Sequence, residues 1–275
     1  MPLDWPVRHG GAVVLSAEDE RFEWVPGTAE DRRYRVASVT KLMTALATLA
    51  AVEAGKLTLD TPVPDVGDGV TVRHLLAHAS GLPFDPGGSV RPPGTRRVYS
   101  NVGYHRVAEV VAGAVGSPFP AWLDDAVLRP LGMTATTLEE WNGVPENPAA
   151  GAHAPLADLA LLAGCLLEGG APVIGPELFA EAVSVQFPGL AGLVPGVGRF
   201  DPCDWGLGPE LKGGKSPHWM GERRPPSSFG HFGGSGCFLW VDPEARLAAA
   251  AVTDRDFDDD RWAMSTWPKW SDAIE

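Results

Sequence analysis

Residues 37–55 read ASVTKLMTALATLAAVEAG, and this stretch decides how the rest of the chain is interpreted. Apolar side chains recur in it on one helical stripe, at Leu42, Leu46, Leu49 and Ala50. This period predicts a helix that begins near Ser38, and Gly55 supplies its C-terminal stop. Residues three apart lie on the same face of a helix. The stretch therefore predicts a helix that carries the Ser38 hydroxyl next to the Lys41 amine.

Both ends of the chain have the pattern of strands. Four apolar runs have strand length: 11–16, 22–25, 235–241 and 247–253. The polar residues 17–20 separate the first two runs, and the turn residues 242–244 separate the last two. Such spacing predicts a hairpin at each end of the chain.

The middle of the chain is mostly helix and loop. Helical patterns occur at 71–78, 103–115, 119–127 and 156–168, and a last one occurs at 260–274. Stretches dense in Pro and Gly, such as 83–94, join them. Strands at both ends with helices between them predict that the two ends pair into one sheet.

The predicted fold class is α+β, an α/β sandwich with an antiparallel sheet flanked by helices and an inserted, mostly helical lobe. We expect residues 1–37 and 200–275 to form the sheet lobe together and residues 38–199 to form the inserted lobe. A binding site is expected at the seam between the two lobes.

Composition excludes several classes of function. The 275 residues include 35 acidic and 22 basic side chains, a net charge of −13, and such a chain repels phosphate backbones and anionic lipid surfaces. We therefore expect neither a nucleic acid nor a membrane as partner, and the apolar runs fall short of a membrane span. Three cysteines without a C-x-x-C pair and a start without a secretory signal predict a cytoplasmic protein. The oligomeric state stays open.

The Ser38–Lys41 pair predicts nucleophilic catalysis. A serine hydroxyl is a poor nucleophile until a base removes its proton, and a lysine acts as that base only when its amine is uncharged. Burial between two lobes would lower the lysine pKa accordingly. The motif alone is weak evidence, because a helix start with a serine and a surface lysine also produces it.

Tyr99 and Asn101 strengthen this interpretation. They lie two residues apart in a loop, where a phenol can relay a proton and a carboxamide can orient the lysine and a substrate carbonyl. Without the serine motif, a core tyrosine followed by a loop asparagine is the simpler interpretation.

Residues 230–236 (GHFGGSG) lead directly into the strand that follows. Glycines at a strand start let a ligand approach the backbone closely, and a main-chain N–H there, with that of Ser38, can form an oxyanion hole. The alternative for these residues is a flexible glycine hairpin. They precede a strand and not a helix, unlike a dinucleotide-binding fingerprint.

Together these motifs resemble the class C β-lactamase and penicillin-binding-protein-like serine hydrolase family, whose fold is described as serine β-lactamase/transpeptidase-like. The resemblance rests on six motifs in order: Ser38-x-x-Lys41, 55–60 (GKLTLD), 75–83 (LLAHASGLP), 99–101 (YSN), 130–133 (PLGM) and 231–233 (HFG). It implies Ser38 as nucleophile, Lys41 and Tyr99 as acid/base pair, Asn101, His231 and Gly233 as substrate-binding residues, and the N–H groups of Ser38 and Gly234 as oxyanion hole.

One departure from the family bears on the substrate. Many members carry Lys-Thr-Gly where this chain has His231-Phe232-Gly233. A histidine is only partly charged at neutral pH and phenylalanine donates no hydrogen bond, so we expect weaker carboxylate recognition. The leading prediction is a cofactor-free hydrolase of a small-molecule ester, amide or β-lactam through an acyl-enzyme at Ser38. D-alanyl-D-alanine carboxypeptidase or β-lactamase activity, acyl transfer in biosynthesis, and a non-catalytic binding protein are the alternatives.

Three further patterns suggest other sites. His74 and His78 have the i, i+4 spacing of a zinc site but lack its glutamate, so we expect structural histidines and no metal. Residues 214–216 (GKS) resemble the end of a phosphate loop, but Pro209 stands where its earlier glycine is required. Trp219 is predicted either to line an acyl pocket or to anchor a long surface loop.

Overall fold

The computed structural model describes residues 3–16 and 19–274. Its strands are β1 (Gly10–Leu15), β2 (Glu20–Trp24), β3 (Tyr34–Arg35), β4 (Thr137–Leu138), β5 (Ala152–Ala154), β6 (Gly192–Val194), β7 (Gly198–Phe200), β8 (Glu210–Leu211), β9 (Phe229–Gly233), β10 (Cys237–Asp242) and β11 (Leu247–Thr253). Its α-helices are α1 (Thr40–Glu53), α2 (Val72–Leu76), α3 (Asn101–Val115), α4 (Phe119–Leu123), α5 (Arg129–Leu131), α6 (Leu156–Leu167), α7 (Pro176–Ala182) and α8 (Trp262–Asp272).

The main sheet has six strands in the order β2-β1-β11-β10-β9-β8, and each neighbouring pair is antiparallel. Its centre joins the two ends of the chain, since Ala12 of β1 lies opposite Ala251 of β11. The predicted α+β class with an antiparallel sheet and flanking helices is confirmed. The predicted turn at 17–20 lies partly outside the described residues.

The sheet lies between two hydrophobic cores, which explains why β10 and β11 are buried along their whole length. Successive side chains of a strand point to opposite faces. In β11, Ala250 and Val252 belong to the core shared with α1 and α6, whereas Ala249 and Ala251 belong to the core shared with α8. The small side chains of Ala248 and Ala250 let α6 pack closely on this strand.

Helix α1 is buried on nearly all sides, from Thr40 to Ala51. A helix that is apolar around its whole circumference lies inside a domain and not on its surface. Helices α3 and α4 pack against it, and its N-terminal end meets β9 at the edge of the main sheet. This position brings the start of α1 to the junction between sheet and helices.

The structure adds elements that the sequence patterns do not predict. These include the three-stranded sheet β3-β5-β4, the hairpin β6–β7, the edge strand β8 and helix α7. Helix α6, which lies within 38–199, packs on β11, β10 and β1 of the main sheet. The division into a sheet lobe and an inserted lobe stays a prediction. Within residues 3–16 and 19–274, no helix is both long and apolar enough to cross a bilayer.

Candidate active site

Ser38 lies in a short 3₁₀ turn, Ala37–Val39, that leads directly into α1. Ala37 adopts a φ of +44°, a backbone conformation that is rare for a residue with a side chain. Thr40 holds this turn in place, because its hydroxyl donates to the Ala37 carbonyl at 2.5 Å and accepts from the Ala152 N–H at 3.0 Å. The serine is thus fixed at the mouth of a cleft.

The Lys41 side chain is completely buried, and its amine has three polar partners. Its Nζ atom lies 2.7 Å from Asn101 Oδ1, 2.8 Å from the Ala149 carbonyl oxygen and 3.2 Å from Ser38 Oγ. Burial lowers the pKa of Lys41 well below its ordinary value of 10.5, although the Asp85 carboxylate acts in the opposite direction. The amine is therefore in its uncharged form over a much wider pH range than a surface lysine.

An uncharged amine has two N–H donors and one lone pair. The Asn101 Oδ1 and Ala149 carbonyl atoms are acceptors only, so they take both donors. The lone pair is left for the third partner, the Ser38 hydroxyl. This arrangement is that of a base ready to remove the serine proton.

Tyr99 lies on the other side of the serine, next to His231 of β9. The His231 Nδ1 atom donates to the Phe232 carbonyl at 2.8 Å, so the Nε2 atom is free to accept from the Tyr99 hydroxyl, 3.4 Å away. Burial raises the pKa of Tyr99, and a hydrogen bond with Ser38 acts in the opposite direction. Tyr99 is accordingly a neutral phenol that contacts both Ser38 and His231.

His231 is uncharged at neutral pH. It is buried, and this burial, together with the Lys41 amine, lowers its pKa to about 3. The prediction of a partly charged histidine is therefore wrong, because the sequence does not show that the ring is cut off from solvent. At this position the strand offers an acceptor nitrogen and no cation.

Asn101 is the first residue of α3, directly after the cap residue Ser100, whose Oγ accepts from the Gly103 N–H at 2.9 Å. The Asn101 Nδ2 atom donates to Asp85 Oδ1 at 3.0 Å. The carboxylate thus fixes the amide so that the Asn101 oxygen faces Lys41.

Gly233 and Gly234 close the site on the sheet side. A Cβ atom on Gly233 would lie 2.3 Å from the Val36 carbonyl oxygen, so only glycine lets β9 approach the turn that carries Ser38. The Gly233 carbonyl accepts from the Gly236 N–H at 3.0 Å. The N–H of Gly234 belongs to the same trans peptide group as this carbonyl, so the two point in opposite directions and the N–H points away from the turn at 233–236. Gly234 lines the same cleft as Ser38.

Two cavities meet at Ser38. A polar cleft of about 390 Å³ includes Asn101, His105 and Asp85 in its wall. A smaller chamber of about 170 Å³ is mostly aromatic and is lined by Tyr99, Trp205, His231, Phe232 and Phe257, among others. The nucleophile therefore stands between a polar compartment and an apolar one.

Comparison with known proteins supports the family that the six motifs suggest. The chain matches the Beta-lactamase family over residues 6–267. It belongs to the β-lactamase family. A crystal structure described as a β-lactamase from Mycobacterium bovis is 44% identical, with a TM-score of 0.89 over 98% of this chain and 95% of that one.

Curated relatives in the β-lactamase family match over shorter segments. The D-alanyl-D-alanine-carboxypeptidase/endopeptidase AmpH of Escherichia coli K12 is 30% identical over 142 residues, 39% of this chain and 37% of AmpH. Esterase EstB of Burkholderia gladioli is 34% identical over 149 residues, 38% of each chain. The matched segment thus spans less than two fifths of the length of these relatives.

Sequence reasoning missed several residues of the site. Trp205 and Phe257 line the apolar chamber, and Asp85 orients Asn101. Asp85 lies in the Pro- and Gly-rich stretch 83–94, which has no periodic pattern that would have singled it out. Trp219 does not line the chamber: it is buried, and its indole N–H donates to Glu210 Oε2 at 2.8 Å.

The histidine pair and the GKS stretch make structural contacts in this member of the β-lactamase family. His74 accepts from the Thr71 N–H at 3.3 Å, and His78 accepts from the Ser100 N–H at 3.1 Å. Lys215 of the GKS stretch is buried with its Nζ 3.3 Å from Glu210 Oε1. These contacts hold loops in place, and the His78 ring also packs on Tyr99 at 4.4 Å between ring centres.

Proposed function

We propose that the protein is a serine hydrolase that forms an acyl-enzyme at Ser38 from an ester or a small amide and transfers the acyl group to water. The observation that supports this most strongly is the contact of 3.2 Å between Lys41 Nζ and Ser38 Oγ, with both amine donors directed at other acceptors. A non-catalytic protein has no need to keep a buried lysine in this state.

In the proposed acylation step, Ser38 Oγ attacks the substrate carbonyl and its proton passes to Lys41. The N–H groups of Ser38 and Gly234 stabilise the oxyanion. As the tetrahedral intermediate collapses, the bond to the leaving group breaks, Tyr99 donates its proton to that group, and the phenol is reprotonated from Lys41. Water then repeats the sequence on the acyl-enzyme, so that the acid is released and Ser38 regains its proton.

The neutral state of His231 favours esters and small amides over β-lactams. A cation on this strand would bind a carboxylate next to the reacting carbonyl, and an uncharged imidazole supplies none. D-alanyl-D-alanine carboxypeptidase or β-lactamase activity is the second candidate. It is favoured by the 44% identity to the Mycobacterium bovis β-lactamase and by the match to AmpH.

A reducing compartment such as the cytoplasm is part of the proposal. Cys165, Cys203 and Cys237 are all buried free thiols. Proteins of oxidising compartments use cysteines mainly in disulfides.

Labelling with a fluorophosphonate tests the proposed nucleophile. Intact-mass measurement is expected to show one adduct on the wild-type protein and none on Ser38→Ala, whose ester turnover falls by about 10³-fold or more. Ser117→Ala, which removes a half-buried hydroxyl outside the cleft, is the matched control and is expected to label fully. An unlabelled wild-type protein, or full labelling of Ser38→Ala, contradicts the proposal. Faster turnover of a chromogenic cephalosporin than of a nitrophenyl ester favours the second candidate.

A further inference from the structure

A third cavity, of about 330 Å³, adjoins the apolar chamber beside Ser38. The two share Phe84, Tyr99 and Pro195 in their walls, so they are adjacent, and an acyl chain that passes these side chains would reach both. Its outer wall is the hairpin β6–β7, which is joined to the Tyr99 segment where the Arg97 N–H donates to the Ala191 carbonyl at 2.9 Å. We call this cavity the arginine groove.

The wall of the groove contains four arginines: Arg97, which is buried and donates to main-chain carbonyl groups, and three others, Arg91, Arg96 and Arg199. All three are exposed, and none of their guanidinium groups makes a hydrogen bond or an ion pair within the described residues. Several other arginines of this acidic chain are paired with carboxylates, as Arg73 is with Glu181 at 2.7 Å. The three unpaired guanidinium groups therefore make this cavity locally positive in a protein with a net charge of −13.

The groove also has an apolar part. Phe84 and Leu193 line it and are 46% and 44% exposed, among the large apolar side chains that the fold leaves in contact with solvent. Guanidinium groups bind carboxylates through paired N–H donors. The combination fits an apolar chain with an anionic end.

The charges on the two sides of Ser38 are opposite in sign. The wall of the polar cleft contains four carboxylates, Asp85, Asp256, Asp258 and Asp259, against one arginine, Arg35, and Asp258 also borders the apolar chamber. A carboxylate attached to the substrate is repelled from that side and attracted to the arginine groove. The open polar cleft is left for the leaving group and the attacking water, while the chamber and the groove hold the acyl chain.

We propose that the preferred substrates carry an acyl chain that ends in a carboxylate, which Arg91, Arg96 and Arg199 bind in the arginine groove. This inference rests on the proposed acyl-enzyme function and names the class of acyl group that it accepts. It places the anion-binding group on a loop and a hairpin, away from the strand that carries His231.

Matched esters test the inference by kinetics. The substrates are p-nitrophenyl monoesters of dicarboxylic acids with four to ten carbons and the p-nitrophenyl esters of the corresponding monocarboxylic acids. In the double variant Arg96→Gln/Arg199→Gln, the ratio of kcat/KM for acidic over neutral ester is expected to fall at least tenfold at the best chain length. Added salt is expected to lower the same ratio in the wild type, since exposed charges are screened.

Arg8→Gln is the matched control. Arg8 is also exposed, and its guanidinium has no partner among the described residues, but it lies outside the groove. Each Arg→Gln substitution removes one positive charge, whether it is made at Arg8 or in the groove. We expect it to leave the ratio unchanged. A ratio in the double variant within twofold of the wild type at every chain length overturns the inference.

Direct binding separates this inference from the proposed function. Calorimetry with an unreactive probe, the free dicarboxylate of each length, is carried out on Ser38→Ala with and without the two arginine substitutions. The Kd is expected to rise at least tenfold when the arginines are replaced, and thermal unfolding checks that both proteins are folded. Equal affinities, or no binding at any length, overturn the arginine groove as an anion site. If the wild type hydrolyses neither the acidic nor the neutral esters, the proposed hydrolase function is contradicted. The binding measurement still decides whether the arginine groove binds a carboxylate.

Discussion

The Lys41 amine lies 2.7 Å from the Asn101 carboxamide oxygen, and the opposite end of that carboxamide donates to Asp85 at 3.0 Å. A half-buried loop carboxylate is thereby linked through one amide to a completely buried amine. Its negative charge favours the ammonium form of Lys41, against the larger effect of burial. The protonation state of the proposed base thus depends on two opposing contributions.

Replacing Asp85 is expected to shift the acid limb of the pH profile. Activity requires uncharged Lys41, so kcat/KM falls as the pH drops through the Lys41 pKa. Asp85→Asn removes the charge that raises this pKa, and the acid limb is expected to move to lower pH. The measurement is kcat/KM for a neutral nitrophenyl ester between about pH 4 and 10.

The control for this experiment is Asp68→Asn, which removes an exposed carboxylate that does not line the cleft. It is expected to leave the acid limb in place. A limb that stays fixed in Asp85→Asn, or moves to higher pH, means that Lys41 is not the titrating base or that Asp85 does not act on it.

His231 is expected to make the folded protein sensitive to acid. Its pKa is about 3 in the folded state and about 6.5 when exposed, so between these values the unfolded chain binds a proton that the folded chain does not. The free energy of unfolding therefore decreases as pH falls from 6.5 to 3, by at most about 1.4 kcal/mol per pH unit from this group. His231→Gln is expected to make that decrease shallower.

Urea unfolding at several pH values measures this slope. Tyr99→Phe is a useful comparison, because it removes the hydroxyl that contacts His231 but keeps the buried imidazole. It is expected to retain the wild-type slope. An unchanged slope in His231→Gln would show that other groups, such as the buried His78, account for the acid sensitivity.

The sequence predicts the parts of this site that depend on short spacings. Ser38 and Lys41 are three residues apart at a helix start, and Tyr99 and Asn101 flank the residue that caps α3. Local geometry determines where such side chains point. The sheet is predictable for a similar reason, since its apolar runs and turns are short-range patterns.

The rest of the site depends on contacts between distant segments. Trp205 and Phe257 line the same chamber only because the segment between β7 and β8 and the segment after β11 fold around it. Asp85 reaches Asn101 across a loop without periodicity. The charge of His231 depends on burial, which is a property of the whole packing arrangement and not of the motif.

Glu210 is expected to stabilise the back of the site. Burial alone would raise its pKa, but Lys215, His218 and the indole of Trp219 lower it to about 2. Glu210 of β8 lies opposite Gly230 of β9, one residue from His231. Glu210→Gln leaves the buried Lys215 without its counter-ion and is expected to cost about 3–5 kcal/mol of unfolding free energy. Thermal and urea unfolding, with the exposed Glu222→Gln as comparison, measure this loss, and a cost below about 1 kcal/mol would contradict the expected role of the pair.

Gly233 and Gly234 are adjacent but are expected to respond in opposite ways to alanine. A Cβ on Gly233 would lie 2.3 Å from the Val36 carbonyl oxygen, a backbone atom that cannot move without shifting the turn that holds Ser38. Gly233→Ala is therefore expected to lose about 1–3 kcal/mol of stability and most ester hydrolysis. A Cβ on Gly234 would meet no atom within 4 Å beyond its chain neighbours, so alanine fits there and keeps the N–H.

The pair also tests the proposed oxyanion hole, because that role requires a main-chain N–H and no particular side chain. Gly234→Ala is expected to retain kcat within a few fold of the wild type, and Gly234→Pro, which lacks the N–H, is expected to lose about 10²–10³-fold. Steady-state kinetics on one nitrophenyl ester, with unfolding curves for all three variants, separates lost stability from lost chemistry. Equal kcat in Gly234→Pro and Gly234→Ala would remove Gly234 from the proposed oxyanion hole.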